Sequence, residues 1–279
     1  MNQRLIVNAD DYGHTSGVSE GIRRAHLAGI VTSTTAMMNR PASLSDLPKA
    51  MALCPKLGLG VHLVLTTGAP VLPAEKIPTL VDASGNFLKR ETLIQRLTQI
   101  NPDEALAEWR AQVERFVRVT GHNPDHLDSH HHSSYFTPAL FECMLELAAE
   151  LGCAIRKPFG DNSASATDYL PGGQPDGDFA EVSVLLEQYH PRTTRVFCDD
   201  FYDETVTLAY LVEIIKHIAA EPTPQTWELM CHPAVVDDKL RSISDYHRQR
   251  AVELQVLTDP QVRALLKETG IELISFAKL

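Results

Sequence analysis

Apolar runs along this chain are short and rich in Val, Ile, Leu and Thr, and stretches of helical spacing separate them, so the pattern predicts an α/β protein. Leu5–Asn8 reads as a strand and Val18–Ala28 as a helix that Gly29 ends. Strands follow at Val31–Met38 and Leu57–Leu65, and a polar connection with Pro70, Pro73, Pro78 and Gly85 comes next. Pro102–Val119 is a long amphipathic helix, because Ala105, Leu106, Trp109, Val113, Phe116 and Val117 recur at helical spacing. A strand at His126–His132, a helix over Pro138–Leu151 and a strand through Cys153–Lys157 continue the alternation. Asp161–Asp178, rich in Gly, Pro, Ser and Asp, reads as a loop in the manner of a lid. Arg195–Asp199 is then a strand, Val206–Ala219 a helix, Trp227–Cys231 a strand, Asp245–Thr269 helical and Ile271–Phe276 a closing strand.

Seven or eight βα units without a break in composition predict one domain over residues 1–279, a parallel barrel or barrel-like fold with a loop insertion near 161–178. A doubly wound open sheet is the competing topology, but no G-x-G-x-x-G follows the first strand to give it a dinucleotide site. In such barrels the chemistry collects at the C-terminal ends of the strands. Polar clusters end the apolar runs at Asp10-Asp11, at His62, along His126–His132 and at His232.

Composition narrows the function classes. The 279 residues suit one large α/β barrel, and a 44% hydrophobic content is enough for a substantial core. A formal net charge of -11, with no Lys/Arg-rich run, argues against nucleic acid as a partner. No stretch has the apolar length to cross a bilayer, and the first residues lack the pattern of a secretory signal, so a cytoplasmic protein without a membrane partner is expected. Cys54, Cys143, Cys153, Cys198 and Cys231 are odd in number and form no C-x-x-C pair, which reads as free thiols in a reducing compartment.

Each polar cluster has a structural and a chemical reading. Asp10-Asp11 is either a turn with a helix-capping aspartate or two carboxylates with separate tasks, one ligating a metal and the other acting as a base on water. Adjacent residues on an extended segment point to opposite sides, so both need not reach one ion. His62, among Gly58, Gly60, Val61, Leu63 and Leu65, is a hydrogen-bonded rim residue or a ligand. On a strand, His126, Asp128, His130 and His132 would share one face, and Leu127, Ser129 and His131 the other. Four polar groups on one face need partners, and Asp128 is placed to hold a ligating imidazole in its correct tautomer. His232 ends a nearly all-apolar strand and suits a general acid. Arg156, also at a strand end, either pairs with a carboxylate or is an ordinary surface charge.

At Ile6–Gly13, Gly29–Thr35, Gly60–Leu63, His126–His132 and Met230–Ala234 the chain resembles the YdjC family of carbohydrate deacetylases, which includes the chitooligosaccharide deacetylases, over nearly its whole length. The resemblance implies a distorted (β/α) barrel of about seven parallel strands, similar to the polysaccharide deacetylases. It implies removal of the acetyl group from an N-acetylglucosamine unit of a small oligosaccharide such as chitobiose, with or without a 6-phosphate. It assigns Asp11, His62 and His130 to one divalent metal, Asp10 to the base, His232 to the general acid and Arg156 to orienting the base. The family is generally described with magnesium, whereas two imidazoles and one carboxylate suit zinc or another transition ion. Relatives often carry a further histidine two residues after the tract, where Ser133-Ser134-Tyr135 stands here. Tyr12, Phe136, Phe159, Phe201 and Tyr202 lie near predicted loops, where an aromatic packs the loop or stacks on a sugar. A metal-dependent phosphoesterase is a rival, although it would usually bring a second metal and more carboxylates. A non-catalytic carbohydrate- or metal-binding protein is another, and it would not need Asp10 as a free base. A homodimer is expected from how common two-fold symmetry is.

Overall fold

The first strand carries the logic of the fold. From Leu5 to Tyr12 every residue is buried, without the alternation of a half-exposed strand, because it runs between parallel neighbours and is covered on both faces. The computed structural model describes residues 2–160, 169, 171 and 175–279. In chain order its strands and α-helices are β1 (Arg4–Tyr12), α1 (Ser16–Ala28), β2 (Ser33–Ala36), α2 (Pro41–Leu53), β3 (Gly58–Leu63), α3 (Arg90–Gln95), α4 (Pro102–Thr120), β4 (His126–Ser129), α5 (Pro138–Leu151), β5 (Ala154–Ile155), α6 (Pro175–Tyr189), β6 (Val196–Cys198), α7 (Leu208–Ala220), β7 (Thr226–Cys231), α8 (Asp238–Ile243), α9 (Arg248–Leu257), α10 (Pro260–Thr269) and β8 (Glu272–Leu273).

Two compact units share this chain. The first comprises Met1–Ala36, Arg40–Gly60 and Thr194–Leu279, and the second Met37–Asn39 and Val61–Thr193. In the first, β1 lies between β2 and β7, all parallel, with β6 outside β7 and the short β8 on β1. Asn8 faces Met230 and Ala9 faces Cys231, so Asp10, Asp11 and His232 leave their strands at the same edge. Helix α1 approaches the segment beyond β7 closely: a Cβ on Gly21 would lie 2.4 Å from the Cα of Ala234, and one on Gly17 2.2 Å from the Val235 carbonyl. In the second unit, the C-terminal half of β3 pairs with β4, and β4 with β5, again in parallel. The face of α4 expected to be buried is so except at half-buried Val117, and the helix also buries Glu108 and Gln112. Gln112 brackets the Val64 peptide, and Glu108 accepts from the amides of Val71 and Leu72 at 2.8 and 2.9 Å, fastening the chain that follows His62.

Several boundaries differ from those the sequence suggested. β1 runs on through Asp10 and Asp11 to Tyr12. β4 stops at Ser129, and His130–Tyr135 is a 3-10 turn in which His131 and His132 are left-handed. The shared face expected for His126, Asp128, His130 and His132 is therefore broken after Ser129. The helical stretch at 245–269 divides at Thr258 and Asp259, where Asp259 caps α10 and Pro260 opens it. Helices α2 and α6 were not anticipated; α2 begins at Pro41, and α6 begins at Pro175, inside the segment read as a loop. The remainder of the loop expected at 161–178 lies outside the described residues, apart from Tyr169 and Pro171. Among the described residues no helix is long and apolar enough to cross a membrane.

Candidate active site

In the first unit the two aspartates separate at an irregularity in β1. Pairing with β2 shifts register between Ala9 and Tyr12, and Asp11 sits at φ 70°, a left-handed conformation that costs a non-glycine residue about 1–2 kcal/mol. The Asp11 carbonyl accepts from the amide of His14 at 2.9 Å, turning the chain out of the strand. Simple strand alternation therefore does not set the direction of Asp11. The carboxylates go to different partners: Asn8 Nδ2 donates to Asp10 Oδ1 at 2.9 Å, and Arg250 Nη2 donates to Asp11 Oδ2 at 2.5 Å. Burial lowers the pKa of Arg40, and the nearby Asp11 charge opposes that shift.

His232 follows β7 directly, and its backbone N–H donates to Glu253. Tyr246 donates to the other oxygen of Glu253 at 2.7 Å, and its ring lies edge-on to His232 with centroids 5.9 Å apart. Burial pushes the Glu253 carboxyl up to about 7, against the hydrogen bonds from His232 and Tyr246 and the Arg250 charge. For Arg250, burial works against the charge, but Asp11 and Glu253 outweigh it and hold the guanidinium above its usual value. Arg250, Glu253 and Tyr246 were not singled out by the sequence reading. A signal existed: Arg250, Glu253, Val256 and Leu257 recur on one face of α9, which places two opposite charges on its buried stripe.

In the second unit, His62 and Asp128 are register partners on β3 and β4. His62 Nδ1 is 2.6 Å from Asp128 Oδ1, and Arg156 Nη1 is 3.0 Å from Asp128 Oδ2, all three side chains being buried. A carboxylate on Nδ1 fixes the proton there and leaves Nε2 of His62 with its lone pair outward. His130 Nδ1 lies 3.3 Å from that Nε2. His131 stacks on His130 at 3.9 Å and contacts Thr66 Oγ1 at 3.0 Å, while His132 meets Tyr169 edge-on at 5.1 Å. His126, at the opening of β4, pairs with Asp125. The Ser133-Ser134-Tyr135 segment has a structural task here. Ser134 N–H donates to Ser129 Oγ at 3.1 Å, and Tyr135 OH donates to the Arg156 carbonyl at 2.9 Å.

The donor chemistry fits a metal ion. In the second unit His62 and His130 are both buried, and each offers one ligand nitrogen; Asp11 of the first unit is a buried carboxylate. Nitrogen ligands about 2.0–2.1 Å from a tetrahedral ion stand about 3.3 Å apart, which is the 3.3 Å between His62 Nε2 and His130 Nδ1. The carboxylate behind His62 is the usual outer partner of a ligating imidazole.

Comparison with known proteins follows the same line. The profile of the YdjC-like protein family matches residues 4–268, and the chain belongs to that family. It is 36% identical to a carbohydrate deacetylase of Brevibacillus brevis, covering 99% of each chain. It is 35% identical to a chitooligosaccharide deacetylase of Salmonella paratyphi B, again covering 99% of each. A crystal structure from Enterococcus faecalis V583, described provisionally as a cellobiose-phosphate cleavage protein, superposes with a TM-score of 0.86 at 32% identity, covering 100% of this chain and 99% of that one. A lactam utilization protein of Thermus thermophilus shares the fold, with a TM-score of 0.53 at 13% identity over 98% of this chain and all of that one. The α/β fold class expected, a distorted (β/α) barrel, is that of these neighbours.

Proposed function

We propose that this protein is a metal-dependent carbohydrate deacetylase, a hydrolase that splits the N-acetyl amide of an N-acetylglucosamine-containing oligosaccharide into acetate and free amine. The observation that carries the reading is the buried pair of imidazole nitrogens 3.3 Å apart, with Asp128 behind one of them, in a chain whose full-length relatives bear deacetylase names. The reading takes residues 1–279 as one catalytic domain, in the cytoplasm and as a homodimer.

Asp11, His62 and His130 would hold one divalent ion, magnesium by family habit and zinc or another transition ion by ligand type. When bound, such an ion supplies Lewis acidity toward the acetyl carbonyl and makes water more acidic. Asp10, oriented by Asn8, takes the proton of the attacking water. His232, held through its backbone by Glu253, gives a proton to the departing amine nitrogen, which is otherwise a very poor leaving group. The resemblance gives Arg156 to the orientation of Asp10, and its ion pair with Asp128 supports a task in fixing His62 as well.

The test is acetate release from N,N'-diacetylchitobiose and from its 6-phosphate, with metal supplied. Asp10→Asn is expected to lower kcat roughly a hundredfold or more, and chelation to abolish turnover until metal is returned. No acetate from either sugar, with metal demonstrably bound, would sink the reading.

A further inference from the structure

We infer that Tyr202 is the platform on which the sugar ring bearing the departing amine is stacked. The inference rests on the deacetylase reading and deepens it. Tyr202 keeps 43% of its surface exposed although the rest of its setting is fixed. One face is covered by Tyr246, whose ring lies parallel at 4.3 Å and an angle of 10°. The backbone around it is pinned: Tyr202 N–H donates to Thr205 Oγ1 at 3.0 Å, Asp203 N–H donates to the Tyr246 hydroxyl at 3.1 Å, and Gln249 Nε2 donates to Asp203 Oδ1 at 2.8 Å. Asp203 is left-handed at φ 55°, so the turn that presents the tyrosine holds a conformation its neighbours must sustain. Tyr246 in turn donates to the buried Glu253. An exposed aromatic ring held this firmly offers a flat apolar face whose ordering cost has been met before any ligand arrives.

The position selects the ligand. The Tyr202 ring lies edge-on to His232, centroids 5.6 Å apart. A nitrogen within hydrogen-bond reach of the His232 imidazole, about 3 Å, puts the pyranose that carries it within one ring width of Tyr202. A pyranose presents a C–H face that packs flat on an aromatic ring, and its hydroxyls remain at the edge, in water. The platform therefore belongs to the acetamide-bearing ring and not to a neighbouring sugar.

The experiment compares kinetics of acetate release from N-acetylglucosamine and from N,N'-diacetylchitobiose, with metal supplied, for wild type, Tyr202→Phe, Tyr202→Leu and Tyr202→Ala. Ala and Leu should raise KM roughly three- to tenfold on both sugars, with kcat within about twofold, and Phe should behave as wild type. Leu keeps the bulk without the flat face, so wild-type KM in Leu overturns the platform, as does unchanged KM in Ala. A defect confined to the disaccharide also overturns the assignment, because the ring stacked would be the second one. Where wild type releases acetate only from N,N'-diacetylchitobiose 6-phosphate, the same KM comparison is read on that sugar. Should it release none from any of the three, the deacetylase reading fails and binding is scored alone by saturation transfer from protein to N-acetylglucosamine. Transfer that wild type shows and Tyr202→Ala loses then supports the platform. Equal transfer in both, or none in wild type, overturns it.

Discussion

The two units anchor their polar groups in opposite ways. In the second unit, His62, Asp128 and Arg156 come from strands or strand ends, and the parallel register of β3 with β4 and β4 with β5 brings them side by side. In the first unit, Asp11 and His232 also leave strand ends, but what holds them, Arg250 and Glu253, is supplied by α9. Register fixes a neighbour to within a fraction of an ångström because each backbone pair along the ladder must be shifted to move it. A helix holds its residues to one another equally well, yet its placement depends on packing, so the first cluster should tolerate loss of an anchor better.

The largest effect is expected at Asp128. Asp128→Asn removes the charge opposite a fully buried Arg156 and unties the Nδ1 of His62. Leaving one partner of a buried ion pair alone costs about 3–5 kcal/mol, to be read from urea unfolding of the metal-free protein, with metal affinity by calorimetry as the second readout. Arg250→Met removes the corresponding anchor from Asp11. Arg40 still stands near that carboxylate, so the loss should fall at or below the low end, about 3 kcal/mol or less. An Arg250 variant that unfolds more readily than Asp128→Asn would reverse the order of the two clusters.

The same contrast explains what could be read in advance. His126-Leu127-Asp128 carries its partner to His62 in a motif of strand spacing, so Asp128 was visible as an imidazole holder before any geometry was known. The strand reading carried three residues too many, His130 to His132, because nothing in the sequence marks the left-handed turn at His131 and His132, which Ser129 and Ser134 sustain through side-chain hydrogen bonds. Asp10 and Asp11 were legible as a pair, but the register shift that separates them arises from pairing with β2, a property of two strands and not of one. Arg250 and Glu253 were hidden for a simpler reason: on a helix, opposite charges three residues apart usually form a solvated pair, and only the burial of that stripe makes them anchors.

The smallest expected effect, and the most specific to the helix-anchored cluster, is a dependence on pH. The Glu253 carboxyl is raised from 4.5 to about 7 in the folded protein, chiefly by burial. Folding therefore favours its protonated form, and the stability this contributes is fully present below about pH 4.5 and is lost as pH rises toward and through 7. Ionisation would place a third carboxylate charge in a cluster that already holds Asp10 and Asp11, with Arg250 nearby as partial compensation. The loss should be on the order of 2 kcal/mol across that window, measured as the difference in unfolding free energy between pH 5 and pH 8. Glu253→Gln keeps an oxygen able to accept from the His232 amide and cannot ionise, so its stability should change less than wild type over the same interval. Parallel pH profiles for the two proteins would mean that Glu253 stays ionised when buried, with Arg250 as its permanent counter-charge. In that case Arg250 would serve two buried carboxylates, Asp11 and Glu253, and the helix-anchored cluster would differ from the strand-anchored one only in the elements that carry its ion pairs.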